Sequence, residues 1–364
     1  RLDLHVFFGQ TLTPAQQASA GFNTPFDWDV DLLSGYESTF LTNIARQPGP
    51  GHFFGSDTPE IWARLNEGGF DAVLVLGWYL KAFVQATWAA KRLGLPVLVR
   101  GDSQLATPRG PATRMAKAFA YPPLLRVFDA ALYVGQRSRA YYEHYRYPAR
   151  QLFFSPHCVD TTWFAARATA EAGQTLRTRL GVTREDKVVL FAGKLLSFKR
   201  PLDVVEACAG MAGVHVVIAG SGELESALRE RACALDVPLH ALGFLNQTQM
   251  PAAYAAANVL ALPSTGRESW GLVANEALAC GTPIVVSDAV GCAPDLAADG
   301  AAGRVFPLAD VAALRRMIRE VLDDPPGRDA TAAKSDAYGL GAAVAGVEQA
   351  LVGSRARRRA SPWL

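Results

Sequence analysis

The chain has 364 residues, half of them hydrophobic, which is enough to bury two cores and sets an expectation of two domains. A net charge of +2 argues against a dedicated nucleic-acid binder, although R-A-R-R-R at 355–359 is a local basic cluster. No apolar run is long enough to span a bilayer and no cleavable signal pattern opens the chain, so a cytoplasmic location is expected. The five cysteines, Cys158, Cys208, Cys233, Cys280 and Cys292, are odd in number, contain no C-x-x-C pair and have no His at metal-ligand spacing. They read as reduced core thiols, and no metal site is expected.

Short apolar runs alternate with helical patterns along the chain, the signature of parallel sheets covered by helices. In the first half the predicted strands are 2–8, 71–76, 96–100, 130–134 and 152–155. In the second they are 187–192, 214–219, 239–242, 258–262 and 283–287. P-H-C-V-D-T-T-W-F and the polar, alanine-rich stretch 165–186 lie between the halves and read as an interdomain linker. Ligands of open parallel sheets bind beyond the carboxyl ends of the strands, so two facing units predict one cleft with two walls. The mixed basic and apolar segment R-M-A-K-A-F-A-Y-P-P-L-L-R-V-F (114–128) either packs within its own domain or rests on a bilayer.

In the first half, Arg100, Asp102 and Ser103 cluster at a predicted strand end and should face the cleft. Asp102 is the leading acceptor-side residue, unless it only caps the next turn. His157 sits at the domain junction and reads as a hinge or core histidine. In the second half, F-A-G-K-L-L-S-F-K-R turns at Gly193 and supplies Lys194 and Lys199. Gly220 and Gly222, in I-A-G-S-G-E-L-E, let the backbone pass close to a ligand or another loop. Glu225 occupies the third glycine position of G-x-G-x-x-G, which counts against a dinucleotide cofactor.

Residues 268–283, E-S-W-G-L-V-A-N-E-A-L-A-C-G-T-P, are the most informative. Pro263, Ser264 and Gly266 mark a loop, and Leu272 to Cys280 predicts a helix. Gly271 stands near its start, so the amides of Gly271, Leu272 and Val273 lack helical partners and carry the positive end of the dipole, which suits a phosphate. Glu268 precedes this anion site and Glu276 lies about one and a half turns inside the helix. Carboxylates flanking an anion site can grip hydroxyls on both sides of a phosphate. Alone, such a pair more often reads as a loop residue and a solvated helix residue.

These segments, in order from about residue 187 to 308 and more faintly beyond, resemble the retaining glycosyltransferases of family 4. D-W-D-V-D-L-L-S-G-Y (27–36), the G-D-S at residue 101 and P-H-C-V-D (156–160) are similar to a bacterial branch of that family. The resemblance implies an α/β GT-B fold, two Rossmann-like domains with parallel sheets facing across a cleft. Residues 1–165 would bind the acceptor, 166–340 the nucleotide-sugar donor, and 341–364 would form a C-terminal helix and basic tail returning to the first domain. It assigns the transferred sugar to Glu268 and the nucleotide ribose to Glu276. Lys194 and Lys199 would neutralise the diphosphate beside Gly193 and Gly222, and Phe244 and Leu245 would lie near the nucleobase. Asp295 closes a glycine loop, D-A-V-G-C-A-P-D-L, and its role is open between structural and functional.

The activity implied is transfer of a sugar from a UDP- or GDP-sugar to a hydroxyl of a glycan, lipid-linked or small-molecule acceptor. Configuration would be retained, without metal or other cofactor and without nucleic acid, in the cytoplasm or peripherally at the inner face of the membrane. Members of the family usually open with a strand that this chain lacks by resemblance, unless residues 1–8 take its place in the sheet. A sugar-nucleotide epimerase of the same fold and a non-catalytic nucleotide-sugar sensor are the alternatives.

Overall fold

The computed structural model describes residues 2–11, 13–14 and 24–360, the last six as backbone alone. The strand β1 (His5–Phe8) is followed by β2 (Glu37–Phe40), α1 (Ile61–Glu67), β3 (Val73–Val75), α2 (Lys81–Arg92), β4 (Val97–Gly101), α3 (Pro111–Leu125), β5 (Ala130–Tyr133), α4 (Gln136–His144) and β6 (Leu152–Phe154). Helices α5 (Thr161–Arg167) and α6 (Ala170–Arg179) come next. The second half runs β7 (Lys187–Ala192), α7 (Pro201–Cys208), β8 (Val214–Ala219), α8 (Glu225–Ala234), β9 (Leu239–Gly243), α9 (Met250–Ala256), β10 (Val259–Leu262), α10 (Leu272–Ala279), β11 (Ile284–Ser287), β12 (Gly303–Phe306), α11 (Val311–Asp323), α12 (Arg328–Ala337) and α13 (Leu340–Ala360).

All pairings are parallel. The first sheet is ordered β3-β4-β5-β6, the second β12-β11-β10-β7-β8-β9. The continuous apolar runs of the inner strands β4, β5, β7, β8, β10 and β11 are explained by burial on both faces. Successive side chains of a strand point to opposite sides: Val188, Leu190 and Ala192 enter one core, while Val189 and Phe191 enter the other. The same alternation along β4 sends Val97 and Val99 to one side and Leu98 to the other.

The last helix covers that second side. Ala350 of α13 is buried against Leu98, Ala130 and Leu132, with Val347 and Leu351 beside it. The approach is close enough that a Cβ on Gly346 would lie 1.8 Å from the Phe154 carbonyl oxygen.

Three differences from the sequence reading have physical causes. Strand β1 does not join the first sheet; it pairs with β2 in a two-stranded sheet of its own. Strands β2 and β12 escape sequence reading because E-S-T-F and G-R-V-F are short and weakly apolar. More than half of the stretch read as a linker is helix, in α5 and in α6, the latter started by Thr169, whose hydroxyl accepts from the Ala172 amide at 3.1 Å. The chain passes between the sheets at residues 155–160, ahead of α5, which packs on α9 and α10.

Candidate active site

The carboxyl ends of the second sheet converge on the start of α10. Gly271 caps that helix with φ +97°, in the left-handed region where glycine is favoured, and a Cβ there would lie 2.7 Å from Leu262 Cδ2. The turn sets the helix start beside the loop that carries Glu268: a Cβ on Gly271 would lie 3.7 Å from Glu268 Cγ.

Glu268 is fixed from several directions. Its Oε2 accepts from Lys199 Nζ at 2.5 Å and from the Ser264 hydroxyl at 3.3 Å. Its backbone carbonyl accepts from the Gly291 amide at 3.1 Å and from Gln104 Nε2 at 3.1 Å. Lys199 returns to this point by a 3-10 turn, Ser197–Lys199, and its Nζ would lie 3.6 Å from a Cβ at Gly193. The structure therefore brings together Gly193, Lys199, Glu268 and Gly271, and it pairs two side chains that the sequence reading had given to different parts of one ligand. An ammonium has three N–H donors, so Lys199 can serve Glu268 and a phosphate oxygen together. Burial first, and then the charge of Lys199, pushes the Lys194 ammonium below the ordinary lysine range, against the opposing pull of Glu268.

Gly220 and Gly222 serve the approach of one loop to another. A Cβ at Gly220 would stand 1.9 Å from the Gly193 carbonyl oxygen, and one at Gly222 would stand 2.8 Å from the Leu195 nitrogen. The two loops are joined by Leu195 N to Ser221 O at 2.9 Å and Leu224 N to Leu195 O at 3.2 Å.

Glu276 lies on α10, where its Oε2 accepts from the hydroxyl of buried Tyr254 at 2.6 Å. Burial raises its carboxyl above the ordinary range, and the tyrosine hydrogen bond works in the other direction. Leu272, exposed, and Val273, half-buried, form the first turn. Phe244 packs against Phe26 of the other half, ring centroids 4.4 Å apart, and Leu245 packs onto the core below α10. Beside them Asn246 Nδ2 donates to the Asp27 carbonyl at 2.6 Å, and the Thr248 amide donates to the Asp29 carboxylate at 3.2 Å. The segment 26–29 thus lies directly across the predicted nucleobase wall.

On the opposite wall, Asp102 Oδ2 accepts from Ser269 Oγ at 2.5 Å and faces His157 Nε2 at 3.7 Å. The neighbouring His157 imidazole and then the Ser269 hydrogen bond outweigh partial burial and hold the Asp102 carboxyl down at about 2. Arg100 donates to the Pro156 carbonyl at 2.6 Å and so braces the interdomain crossing. Asp295 accepts the Gln136 amide at 3.0 Å and the Tyr338 hydroxyl at 2.9 Å, a bracket between the two halves.

Several groups at this junction were given no role by the sequence, although Trp270 and Asn275 lie within the 268–283 segment. Gln104 Nε2 reaches the Gly266 carbonyl at 2.9 Å, Arg137 reaches the carbonyls of Asp288 and Ala289, and Trp270 Nε1 donates to Asn275 Oδ1 at 2.7 Å. Asn275 in turn donates to the His157 carbonyl at 3.1 Å. The one available signal was position: Gln104 follows the G-D-S at a strand end. The cysteines are unpaired, and burial raises the thiols of Cys158, Cys208, Cys280 and Cys292.

With this geometry in place, known proteins show similarity chiefly to the second half. Residues 174–337 match the family described as glycosyl transferases group 1. The chain is 36% identical over 159 residues to D-inositol 3-phosphate glycosyltransferase of Mycolicibacterium smegmatis, covering 41% of this chain and 36% of that protein. It is 32% identical over 193 residues to the GDP-mannose-dependent monoacylated alpha-(1-6)-phosphatidylinositol monomannoside mannosyltransferase of Corynebacterium glutamicum, covering 50% of each. The chain thus spans half or less of the length of these curated relatives. Among solved structures, Anabaena HepE in complex with UDP and glucose superposes with a TM-score of 0.60 at 20% identity, over 90% of this chain and 87% of that one. That likeness, with the two parallel sheets, gives the GT-B fold.

Proposed function

We propose that this chain is a retaining glycosyltransferase that moves a sugar from a UDP- or GDP-linked donor to an acceptor hydroxyl. The observation that carries the reading is the meeting of Lys199 and Glu268 at the first turn of α10. A departing nucleoside diphosphate gains negative charge as the glycosidic bond breaks, and fixed cations and helix amides stabilise that charge. Lys194, Lys199 and the amides of Gly271, Leu272 and Val273 supply it without a metal ion. Glu268 contacts the transferred sugar and Glu276 holds the ribose, one on each side of the diphosphate. Phe244 and Leu245 flank the base, and Gly193 and Gly222 shape the loops around the phosphates.

The acceptor hydroxyl attacks on the face from which the diphosphate leaves, and the leaving phosphate takes its proton, so no enzyme nucleophile is assigned. Asp102 marks the acceptor side as a carboxylate. The names of the relatives, one an inositol-phosphate glycosyltransferase and one GDP-mannose-dependent and acting on a phosphatidylinositol monomannoside, support a polyol or lipid-linked acceptor, and the second supports a GDP-linked donor. The UDP complex of a structural neighbour supports the nucleotide class. Among the described residues no helix is long and apolar enough to cross a membrane. Exposed Met115 and Phe119 on α3 support peripheral contact at the inner face of the membrane, and five unpaired thiols fit a reducing compartment. Incubation with labelled UDP- and GDP-sugars and a panel of polyol and glycolipid acceptors tests the proposal. Transfer with the donor's anomeric configuration supports it, and an inverted product or a failure of every donor overturns it.

A further inference from the structure

The lone aromatic residue of the alanine-rich helix α9 has no part in the proposal above, yet its hydroxyl ends on one of the two carboxylates that define the site. Tyr254 is fully buried. Its backbone carbonyl is held by the Thr282 hydroxyl at 2.8 Å, and its ring packs edge-on to Phe164 at 6.4 Å. Its phenol therefore points in one direction, and the 2.6 Å hydrogen bond to Glu276 Oε2 takes one of the two carboxylate oxygens. The other oxygen remains to accept the O–H groups of a vicinal diol.

We propose that Tyr254 is a positioning residue for nucleotide binding: its hydroxyl orients the Glu276 carboxylate and keeps it ionised, and so sets the lower pH limit at which the ribose is held. The inference rests on the ribose reading of Glu276. A carboxylate accepts from both hydroxyls of a diol, whereas a protonated carboxyl presents a donor of its own and loses one acceptor site. Burial works toward protonation at this position, and the tyrosine opposes it.

Among the described residues, no other element packed on α10 supplies a competing charge of that kind. Helix α9 offers Tyr254 alone, and β10 and β11 carry no ionisable residue. At the end of α10, Cys280 is raised by burial and stays a neutral thiol. Helix α5 brings Arg167, whose guanidinium lies over the Trp163 ring at 4.2 Å. Helix α12 brings Arg328, Asp329, Lys334 and Asp336; Arg328 lies against Gly281 and Lys334 is paired with Asp299 at 2.5 Å.

The test is the dissociation constant of UDP and of GDP, measured by calorimetry on the full chain across the acid range. The variants are Tyr254→Phe, Glu276→Gln and a chain with 3-fluorotyrosine at position 254. Binding that depends on the carboxylate is present above its pKa and is lost as pH falls through it. Removing the hydroxyl should move that acid limb up by roughly one pH unit, so affinity below the limb falls about tenfold and changes little above it. The fluorinated phenol is a stronger donor and should move the limb the other way. An unmoved limb in both, or a uniform loss at every pH, overturns the inference. Glu276→Gln should bind weakly and without the acid limb. If it binds like the parent, the ribose reading itself fails, whatever Tyr254 does.

Discussion

Replacing Lys199 by Met separates two duties that the structure gives to one ammonium. Its side chain and that of Glu268 are 13% and 15% exposed, so their 2.5 Å contact is largely withdrawn from water. Breaking a fully buried pair by removing one partner costs about 3–5 kcal/mol; with the Ser264 hydroxyl still at hand and some solvent access, about 2 kcal/mol is expected here. The second duty is to the diphosphate. A hydrogen bond to a charged group contributes about 1.5–3 kcal/mol, which is roughly tenfold to a hundredfold in nucleotide affinity. The two effects come apart in a double-mutant cycle with Glu268→Gln, read by urea unfolding for stability and by calorimetry with UDP and GDP for binding. In Lys199→Met with Glu268→Gln, stability should recover most of what Lys199→Met lost, because no carboxylate is left stranded, while affinity should stay low. If affinity recovers together with stability, or never falls, Lys199 only supports Glu268 and its phosphate role is wrong.

Gly346→Ala should reverse the usual helix trend. Alanine ordinarily stabilises a helix interior by about 1 kcal/mol over glycine, but the new methyl would meet the Phe154 carbonyl at 1.8 Å and push α13 off β6. A lowered unfolding temperature is expected, and a raised one would contradict the packing. Nucleotide affinity should fall on both sides of neutrality sooner than ordinary side chains predict. The raised Glu276 loses its charge as pH falls, and the lowered Lys194 loses its charge as pH rises. Calorimetric titrations across pH in which Glu276→Gln removes the acid limb and Lys194→Met the alkaline one would support this, and a flat profile would refute it. Asp102, held at about 2, stabilises the folded chain above the ordinary aspartate pKa, and that contribution is lost only as pH falls from about 4 toward 2. Asp102→Asn should remove this acid sensitivity and lower acceptor turnover more than nucleotide binding, which initial rates and calorimetry measure separately.

The fold was legible wherever a strand wrote a continuous apolar run, most clearly in β4, β5, β7, β8, β10 and β11, which are largely buried. The ten runs so read overlap ten of the observed strands, from L-D-L-H-V-F-F, whose last four residues form β1, to P-I-V-V-S, which contains β11; β4 and β9 each extend one residue beyond the run, to Gly101 and Gly243. Strands of mixed polarity left no such trace, and β2 and β12 came only from the structure. In the second half the candidate site was legible because its residues sit at strand ends and helix starts. Gly193, Lys199, Glu268 and Gly271 are distant in sequence and adjacent in space because parallel topology returns every loop to the same edge. The cross-domain contacts were not legible. Gln104 on the Gly266 carbonyl, Asn246 on the Asp27 carbonyl and Phe26 on Phe244 depend on how two bodies meet, and a side chain bonded to a backbone carbonyl leaves no pattern in its partner. Tyr254 was hidden for a related reason: a single aromatic in an alanine-rich helix reads as core, and only the 2.6 Å contact reveals the polar end.

The central claim is one nucleotide-sugar pocket at the start of α10, and a thermal-shift screen of the full chain against UDP-, GDP-, ADP- and CMP-sugars tests it most directly. A UDP- or GDP-sugar should raise the unfolding temperature, and Glu276→Ala should abolish the rise. No rise with any nucleotide sugar, or an unchanged rise in Glu276→Ala, would contradict the account.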